Sequence, residues 1–215
     1  MAPSPPHIMA FALIIIVDWD IDVNSYLLAT ESEMPEEIRP KVCKYCGQEI
    51  FQRKHGSYSR KLYTLTACIL LIIYRFYCPS CKKTHSYIPS FFRKHHPMAN
   101  EVQEAAVERI DQGSTCEEAA TVGGSNMTVD VKTVQRWKKF WGDLLKTEEE
   151  RFVQTALKIV PNVSLPVGAK KEDVGTSYRW LSYLWKKITN EVIRLRSVNL
   201  FTVLLHFSLT VTADL

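Results

Sequence analysis

Two pairs of closely spaced cysteines constrain the fold of this chain more than any other feature. The first pair is Cys43 and Cys46, and the second pair, after 31 intervening residues, is Cys78 and Cys81. Each Cys-x-x-Cys turn brings two thiolates together, and two such turns supply four sulfurs for the tetrahedral geometry that zinc prefers. The spacing therefore predicts a structural Zn²⁺ site with these four cysteines as ligands.

Other roles for the cysteines compete with this one. A redox pair opens a helix in a βαβ unit, whereas the residues after Cys81 favour an extended strand. Structural disulfides need an oxidising compartment, and no Lys or Arg precedes the apolar stretch Ile8–Val17 as in a secretory signal. His85 lies at ligand spacing from Cys81 and is the alternative fourth ligand, although two symmetric pairs favour the all-cysteine site. Cys68 and Cys116 lack a partner at ligand spacing and are expected to be buried thiols.

Charge is distributed unevenly along the 215 residues. Residues 1–40 carry a net charge of −6, residues 41–96 carry +10, and residues 97–215 are balanced. The cysteine-rich segment keeps about +8 after a four-thiolate zinc centre forms. Such a field attracts polyanions, nucleic acids above all, and a merely solvated surface is the alternative. No apolar run reaches the roughly 18 residues of a membrane span, so we expect a cytoplasmic protein with no membrane partner.

The patterns indicate an α+β fold: a small antiparallel zinc-ribbon sheet followed by a helix-turn-helix and further C-terminal helices. Four regions are predicted: residues 1–40 (a strand at Phe11–Val17, a helix at Val23–Ala29 and an acidic linker), 41–97 (zinc ribbon), 98–142 (helix-turn-helix) and 143–215 (C-terminal helices).

The zinc ribbon is expected to contain three short strands. Two are predicted at Glu49–Arg53 and Leu62–Tyr77, separated by a turn at His55–Tyr58, and the third follows Cys81. So small a sheet cannot bury enough apolar surface alone, so the metal must contribute to its stability. Aromatic residues such as Tyr58, Tyr63 and Tyr74 alternate with basic ones. They either form the small core, which we favour, or stack on nucleobases.

The next region has the pattern of three helices. Asn100 is placed to cap the first, which runs to about Gln112, and Ser114–Glu117 has the capping-box pattern for a short second helix. Asp130 is placed to cap the third, Val131 to about Trp141, whose apolar stripe faces inward. This arrangement with a basic third helix is typical of a helix-turn-helix, and a plain three-helix packing unit is the alternative.

The predicted DNA contacts lie on the third helix and on the ribbon. In a helix-turn-helix the early residues of the last helix reach base edges, and Gln135 and Arg136 have the chemistry to read adenine and guanine. The full set is Lys132, Thr133, Gln135, Arg136 and Lys139 on the helix, with Arg60, Lys61, Lys82 and Lys83 on the ribbon.

The residues also carry a resemblance to a known family. Its features are both cysteine pairs, His55-Gly-Ser-Tyr-Ser-Arg60, Ile88-Pro-Ser-Phe-Phe92 and Thr133-Val-Gln-Arg-Trp137. Over roughly residues 12–141 the chain resembles a bacterial family of uncharacterised function, a zinc ribbon plus helix-turn-helix similar to the DNA-binding front end of insertion-sequence transposases. The resemblance implies zinc on the four cysteines and DNA contact from the third helix. It does not supply a catalytic activity.

The C-terminal region shows a heptad seam in a helix predicted at Ser177–Arg196. Its members are Tyr178, Leu181, Trp185, Ile188, Val192 and Leu195. Such a seam either packs onto the same chain or forms a homodimer through residues 177–196. Asn199–Ala213 is apolar and β-branched, which predicts a final strand.

No catalytic constellation is recognisable in the sequence. Residues 142–215 are too few for the carboxylate-bearing core of a transposase, and Glu148, Glu149 and Glu150 fit a solvated helix face. We therefore expect a non-enzymatic, zinc-dependent protein that binds double-stranded DNA, transposase-like or regulatory. The alternatives are a zinc module that binds RNA or a protein, and a transposase whose catalytic half is supplied elsewhere.

Overall fold

The chain forms a small antiparallel sheet and several α-helices, which confirms the α+β class. A computed structural model describes residues 23–31, 33–121, 128–159, 177–192 and 198–211. Over these ranges the strands are β1 (Arg53–Tyr63), β2 (Cys68–Tyr77) and β3 (Thr84–Ser86), and the helices are α1 (Val23–Thr30), α2 (Asn100–Asp111), α3 (Cys116–Ala119), α4 (Val131–Ile159), α5 (Ser177–Glu191) and α6 (Leu200–Val211). Among the described helices, none has the length and apolar character needed to cross a membrane. The predicted strand Phe11–Val17 lies outside the described residues.

The three strands pair in the order β1-β2-β3, all antiparallel. A first strand at residues 49–53 and a turn at residues 55–58 were the wrong predictions, because β1 pairs with β2 over its whole length. The hairpin reverses at residues 64–67, where the Thr64 hydroxyl accepts a backbone N–H at 3.0 Å. Gly56 lies at a register shift with φ of 127°, so its positive φ serves a β-bulge rather than a turn.

The second strand is buried on opposite faces at its two ends. Leu71 and Ile73 belong to the main core, whereas Tyr74 and Phe76 pack with Ile38 in a smaller cluster. Because successive strand residues alternate between faces, one half of β2 packs on the helices and the other half on the 3₁₀ turn Glu36–Ile38. Burial of this kind explains the nearly continuous apolar run in the strand.

The first two helices after the sheet begin differently from the prediction. Asn100 starts α2 instead of capping it, and its buried side chain donates to the Ser90 carbonyl at 2.8 Å. The capping box of α3 is formed by Thr115 and Glu118, one residue later than the predicted Ser114–Glu117. Both differences are shifts of one residue, so the helices themselves are confirmed.

The third helix of this region is much longer than predicted. Asp130 caps α4 as expected, with its carboxylate accepting the Lys132 N–H at 2.9 Å. The helix then continues through Gly142 over 29 residues instead of ending near Trp141. A glycine inside a helix costs only about 1 kcal/mol relative to alanine. Buried Trp141 and Leu145 on either side offset that cost.

The C-terminal segment is a helix, so the predicted strand at Asn199–Ala213 is wrong. Asn199 accepts the Thr202 N–H at 2.8 Å, which caps α6. The Phe201 ring then stacks on Trp141 of α4 with centroids 4.1 Å apart. Packing against α4 outweighs the strand preference of its β-branched residues.

The predicted seam of α5 packs within the chain. Tyr178, Leu181, Trp185 and Ile188 are all buried and belong to the main core. α5 ends at Glu191, and its predicted continuation at residues 193–196 lies outside the described residues. A homodimer through residues 177–196 stays a prediction, and it would use a face of α5 other than this seam.

One hydrophobic core joins the sheet to the helices. It contains Leu62 and Leu71 from the sheet together with Trp137, Trp141 and Phe201 from the helices. Side-chain packing thus crosses the predicted region boundaries at residues 97 and 142, although the four-region division itself stays a prediction.

Candidate metal centre and basic surface

The four predicted metal ligands converge on one point. Their Sγ atoms all lie within 4.8 Å of one another. Cys43 and Cys81 are 3.7 Å apart and Cys46 and Cys78 are 3.8 Å apart, measured between Sγ atoms. A tetrahedral centre with Zn–S bonds of about 2.3 Å has S–S edges of about 3.8 Å, whereas a disulfide bond is about 2.05 Å. The separations fit a metal ion and do not fit disulfides.

The two cysteine turns, here called knuckles, have equivalent backbone geometry. In the first knuckle Gly47 donates its N–H to the Cys43 carbonyl at 2.8 Å, and in the second Lys82 donates to the Cys78 carbonyl at 2.9 Å. Gly47 and Lys82 both have left-handed φ angles, 68° and 59°. The Ser80 hydroxyl of the second knuckle donates to Gln48, which follows the first. The cysteines are therefore held in place by local backbone hydrogen bonds.

The environment of Cys43 favours its thiolate. Burial opposes ionisation, but hydrogen bonds from the backbone N–H groups of Tyr45 and Cys46, together with those from the Cys78 and Cys46 thiols, lower the pKa of Cys43 to about 6. The Tyr45 N–H lies 3.5 Å from the Cys43 sulfur. Backbone N–H groups that stabilise a thiolate are suited to a metal ligand, because thiols must lose their proton to bind metal.

The remaining candidates for this centre lie apart from it. His85 is not among the side chains that meet at the four sulfurs, and its ring packs against Tyr45 and Phe76. Cys68 is exposed, so the prediction of a buried thiol is wrong there, and Cys116 is half-buried. Cys68 begins β2 on the face of the sheet that points away from the main core.

The predicted phosphate contacts of the sheet region are placed in different ways. Lys61, Lys82 and Lys83 are exposed. Arg60 is half-buried, donates to the His96 carbonyl at 2.8 Å and lies over the Phe92 ring. The three lysines are thus available to an anion. Arg60 instead links β1 to residues 89–97 through its hydrogen bond to His96.

The predicted base-reading residues share one face of α4. Lys132, Gln135, Arg136 and Lys139 are exposed and follow the i, i+3, i+4, i+7 spacing of one helix face. Thr133 is half-buried beside them. The opposite face, with Val134, Trp137 and Trp141, is buried, so the exposed set forms a basic stripe over two turns of the helix.

A buried polar network, which was not predicted, fixes the connector of residues 89–97 to the helices. The Oε1 atom of Gln103 in α2 accepts hydrogen bonds from Arg93 at 2.9 Å and from the Trp141 indole at 3.0 Å. The Arg93 guanidinium lies 3.9 Å from the Phe140 ring centroid, and burial lowers its pKa to about 10. Arg93 therefore holds the connector in place.

A second group of basic residues was missed at the sequence level. Lys44, Arg75, Lys94 and His95 converge beside the sheet with Tyr58. Burial lowers the pKa of Lys44, and the nearby charge of Lys94 lowers it further. The net charge of residues 41–96 was the available signal, but residues so distant in sequence meet only once the strand register is known.

Comparison with known proteins finds one family model that matches part of the chain. Residues 43–137 match the family described as a domain of unknown function (DUF6431). The matched segment is somewhat less than half of the chain and runs from the first metal-centre cysteine to Trp137 on α4. No curated protein and no solved structure matches the chain. The similarity thus assigns no activity.

Proposed function

We propose that this chain is a non-enzymatic DNA-binding protein stabilised by a structural zinc ion, acting as a transposase-like binder or a regulator. In this proposal the zinc ion is held by Cys43, Cys46, Cys78 and Cys81. Four sulfur donors at these separations suit zinc, which forms closed tetrahedral thiolate sites in structural roles. The ion would stabilise a sheet whose own core is small.

The observation that carries the proposal is the basic stripe on α4. Its four exposed side chains are long and hydrogen-bonding, and two of them, Gln135 and Arg136, match the groups that pair with adenine and guanine edges. An α-helix fits the major groove of B-DNA. The helices α2 and α3 both pack against α4, as the first two helices of a helix-turn-helix would pack against the third.

The attachment of β1 to the connector and to the start of α2 supports simultaneous use of the sheet and of α4. The Tyr63 N–H donates to the Pro97 carbonyl at 2.8 Å, and the Ala99 N–H donates to the Tyr63 carbonyl at 2.9 Å. The exposed lysines of the sheet region are thereby fixed relative to α4. Lys61, Lys82 and Lys83 would bind backbone phosphates while α4 lies in the groove.

The decisive measurement is equilibrium binding of the zinc-loaded chain to double-stranded DNA over a salt series. We expect affinity to fall steeply as salt rises, because phosphate contacts release counterions. Arg136→Ala should weaken binding to a selected site by about 1–3 kcal/mol and relax its sequence preference. Lys158→Ala, at the far end of the same helix, is the matched control and should bind as the unmodified chain does.

Three outcomes would count against the proposal. Absence of duplex binding at low salt would reject it outright. Equal losses for Arg136→Ala and Lys158→Ala would show that Arg136 contributes only general positive charge, and they would reject base reading by the stripe on α4. Preference for single strands over duplex, without dependence on Arg136, would favour the alternative of an RNA-binding zinc module.

A further inference from the structure

A concave basic pocket lies on the sheet, separate from the stripe on α4. Its volume is about 250 Å³. Its lining includes Lys44 and Tyr45 of the first knuckle, Tyr58 of β1, Arg75 of β2, Ser86 of β3 and Lys94 of the connector. Residues from every part of the sheet region thus contribute to one cavity.

The strand register explains why these side chains meet. Tyr58 lies opposite Ile73 in β2, and Arg75 lies two residues further along on the same face. Ser86 of β3 is directly opposite Arg75, so it shares that face. The same face is apolar where Leu71 and Ile73 pack on the helices and becomes polar beyond them. The floor of the pocket is therefore the continuation of the core-facing side of the sheet.

Side chains that line the pocket carry positive charge, which suits an anion. No Asp or Glu is among the described residues that line it. Lys44, Arg75 and Lys94 make no ion pair with any carboxylate among the described residues. Mutual repulsion between these cations is relieved when a phosphate enters, and charge-assisted hydrogen bonds from Arg and Lys are the usual way in which proteins hold phosphate.

The pocket also presents aromatic rings that the core does not use. Tyr45 is 50% exposed and Tyr58 is 40% exposed, and neither belongs to a hydrophobic cluster of the described residues. Exposed rings beside cations are the arrangement with which proteins stack single-stranded bases. The bases of an intact duplex are already stacked inside it, so a base that reaches these rings must be unpaired.

We propose that this pocket binds an unpaired nucleotide, with its phosphate held by Lys44, Arg75 and Lys94 and its base stacked on Tyr58. The inference rests on the proposed function and adds a substrate class to it: DNA that carries a single-stranded segment or end beside the duplex bound by α4. The nucleotide could come from such a strand or from the free pool, and the experiment separates these sources.

The test compares the zinc-loaded full chain bound to a blunt duplex and to the same duplex with a short single-stranded overhang. We expect the overhang to tighten binding by about tenfold, which is about 1.4 kcal/mol and within the range that stacking of one base on an aromatic side chain contributes. Tyr58→Leu and Arg75→Gln should bring that ratio close to one while blunt-duplex binding changes less. Phe51→Leu and Lys146→Gln replace an exposed aromatic residue and an exposed lysine outside the pocket, and they should keep the full ratio.

The outcomes separate the pocket from the proposed function. Equal affinity for both duplexes, with blunt binding still dependent on Arg136, would overturn the pocket and leave the DNA-binding proposal in place. If the two control variants also lost the difference in affinity between the overhang duplex and the blunt duplex, the pocket proposal would be overturned as well.

Competition experiments identify the source of the nucleotide. An added mononucleotide that abolishes the overhang effect indicates a free-nucleotide site. Competition only by single-stranded oligonucleotide indicates a strand site. Zinc content and circular dichroism of each variant report whether it has folded.

Discussion

At the residue scale, the two knuckles place different residues in the same backbone conformation. Gly47 and Lys82 each have a left-handed φ and each donate to the carbonyl of the leading cysteine. Glycine adopts this conformation without steric cost, whereas a residue with a Cβ loses about 1–2 kcal/mol. The backbone of the second knuckle is therefore more strained than that of the first. The hydrogen bond from Lys82 to the Cys78 carbonyl, and a metal ion bound by Cys78 and Cys81, would offset this strain.

Exchanging these residue types should move the stability of the metal-loaded protein in opposite directions. Gly47→Ala is expected to lower the free energy of unfolding by about 1 kcal/mol through the backbone alone, because nothing lies within 4 Å of the added Cβ. Lys82→Gly is expected to raise it by up to about 1 kcal/mol. Urea unfolding at fixed zinc concentration measures both changes.

Lys83→Gln is the control for the charge that Lys82→Gly removes. Lys83 is exposed and has an ordinary φ, so its substitution leaves the backbone preference unchanged. If Lys83→Gln raised the free energy of unfolding as much as Lys82→Gly does, the effect would come from relief of charge repulsion rather than from relief of backbone strain.

At the element scale, the start of α6 depends on a carboxylate from α2. The Phe201 N–H donates to Glu104 Oε2 at 2.9 Å, which satisfies one of the N–H groups that have no partner within the helix. Burial and the neighbouring Glu108 charge together raise the pKa of Glu104 to about 7, against the opposing effects of the Phe201 N–H and Lys186. The folded state therefore holds a proton on Glu104 at a pH where the unfolded chain has lost it.

The pH dependence follows from that difference. A carboxylate whose pKa is raised on folding stabilises the fold fully below its unfolded value of 4.5, and this stabilisation is lost as pH rises through about 7. Glu104→Gln mimics the protonated state at every pH. The free energy of unfolding of the variant should equal that of the unmodified chain near pH 4.5 and exceed it by up to about 3 kcal/mol at pH 8.

Chemical denaturation at several pH values checks this prediction. Glu101→Gln is the matched control, because Glu101 is another α2 carboxylate that accepts a backbone N–H, from Leu65 at 2.9 Å. A stability difference for Glu104→Gln that stays constant with pH would show that Glu104 does not titrate between pH 4.5 and 8.

The helices and the metal centre show which structural features could be predicted from the sequence and which could not. The cap at Asp130 was predicted because its partner Lys132 lies two residues away. The metal centre was predicted because the Cys-x-x-Cys motif occurs twice, although Cys46 and Cys78 are 32 residues apart. Gly56 was predicted to lie in a turn, but the residues on both sides of it pair with β2. The third helix was predicted to end just before Gly142, but the buried side chains on either side of that glycine keep α4 helical. The helical state of α6 depends on Phe201 packing onto Trp141, which is 60 residues away.

The basic pocket on the sheet has the same dependence on distant residues. Its floor requires the register of all three strands, which places Arg75 beside Ser86 and on the same face as Tyr58. If the hairpin turn is placed at residues 55–58, as in the sequence prediction, Tyr58 and Arg75 no longer lie on the same face of the sheet. The ligands of the metal centre could be predicted from the sequence, whereas the residues that meet in the pocket could not.

At the scale of the whole molecule, the sheet and the helices share one hydrophobic core. Removal of a metal ion bound by the four cysteines should therefore lower the stability of the helices as well as that of the sheet. Leu62 and Leu71 of the sheet pack in the same cluster as Trp137 and Trp141. Arg93 and Gln103 add a polar link between the connector and α4 through the Trp141 indole. A sheet that unfolds without its metal would uncover one side of this core and weaken the helices as well.

Tryptophan fluorescence can test this coupling, because residues 41–97 contain no tryptophan and the tryptophans of the described residues lie in α4 and α5. Cys78→Ser removes one proposed zinc ligand and should lower the free energy of unfolding reported by those tryptophans by about 3 kcal/mol or more. A chelator added to the unmodified chain should have the same effect. Cys68→Ser, an exposed cysteine outside the metal centre, is the matched control and should change the unfolding transition little. If the tryptophan transition stays in place when zinc is removed, the helices fold independently of the metal-bound sheet, and the shared core contributes little to their stability.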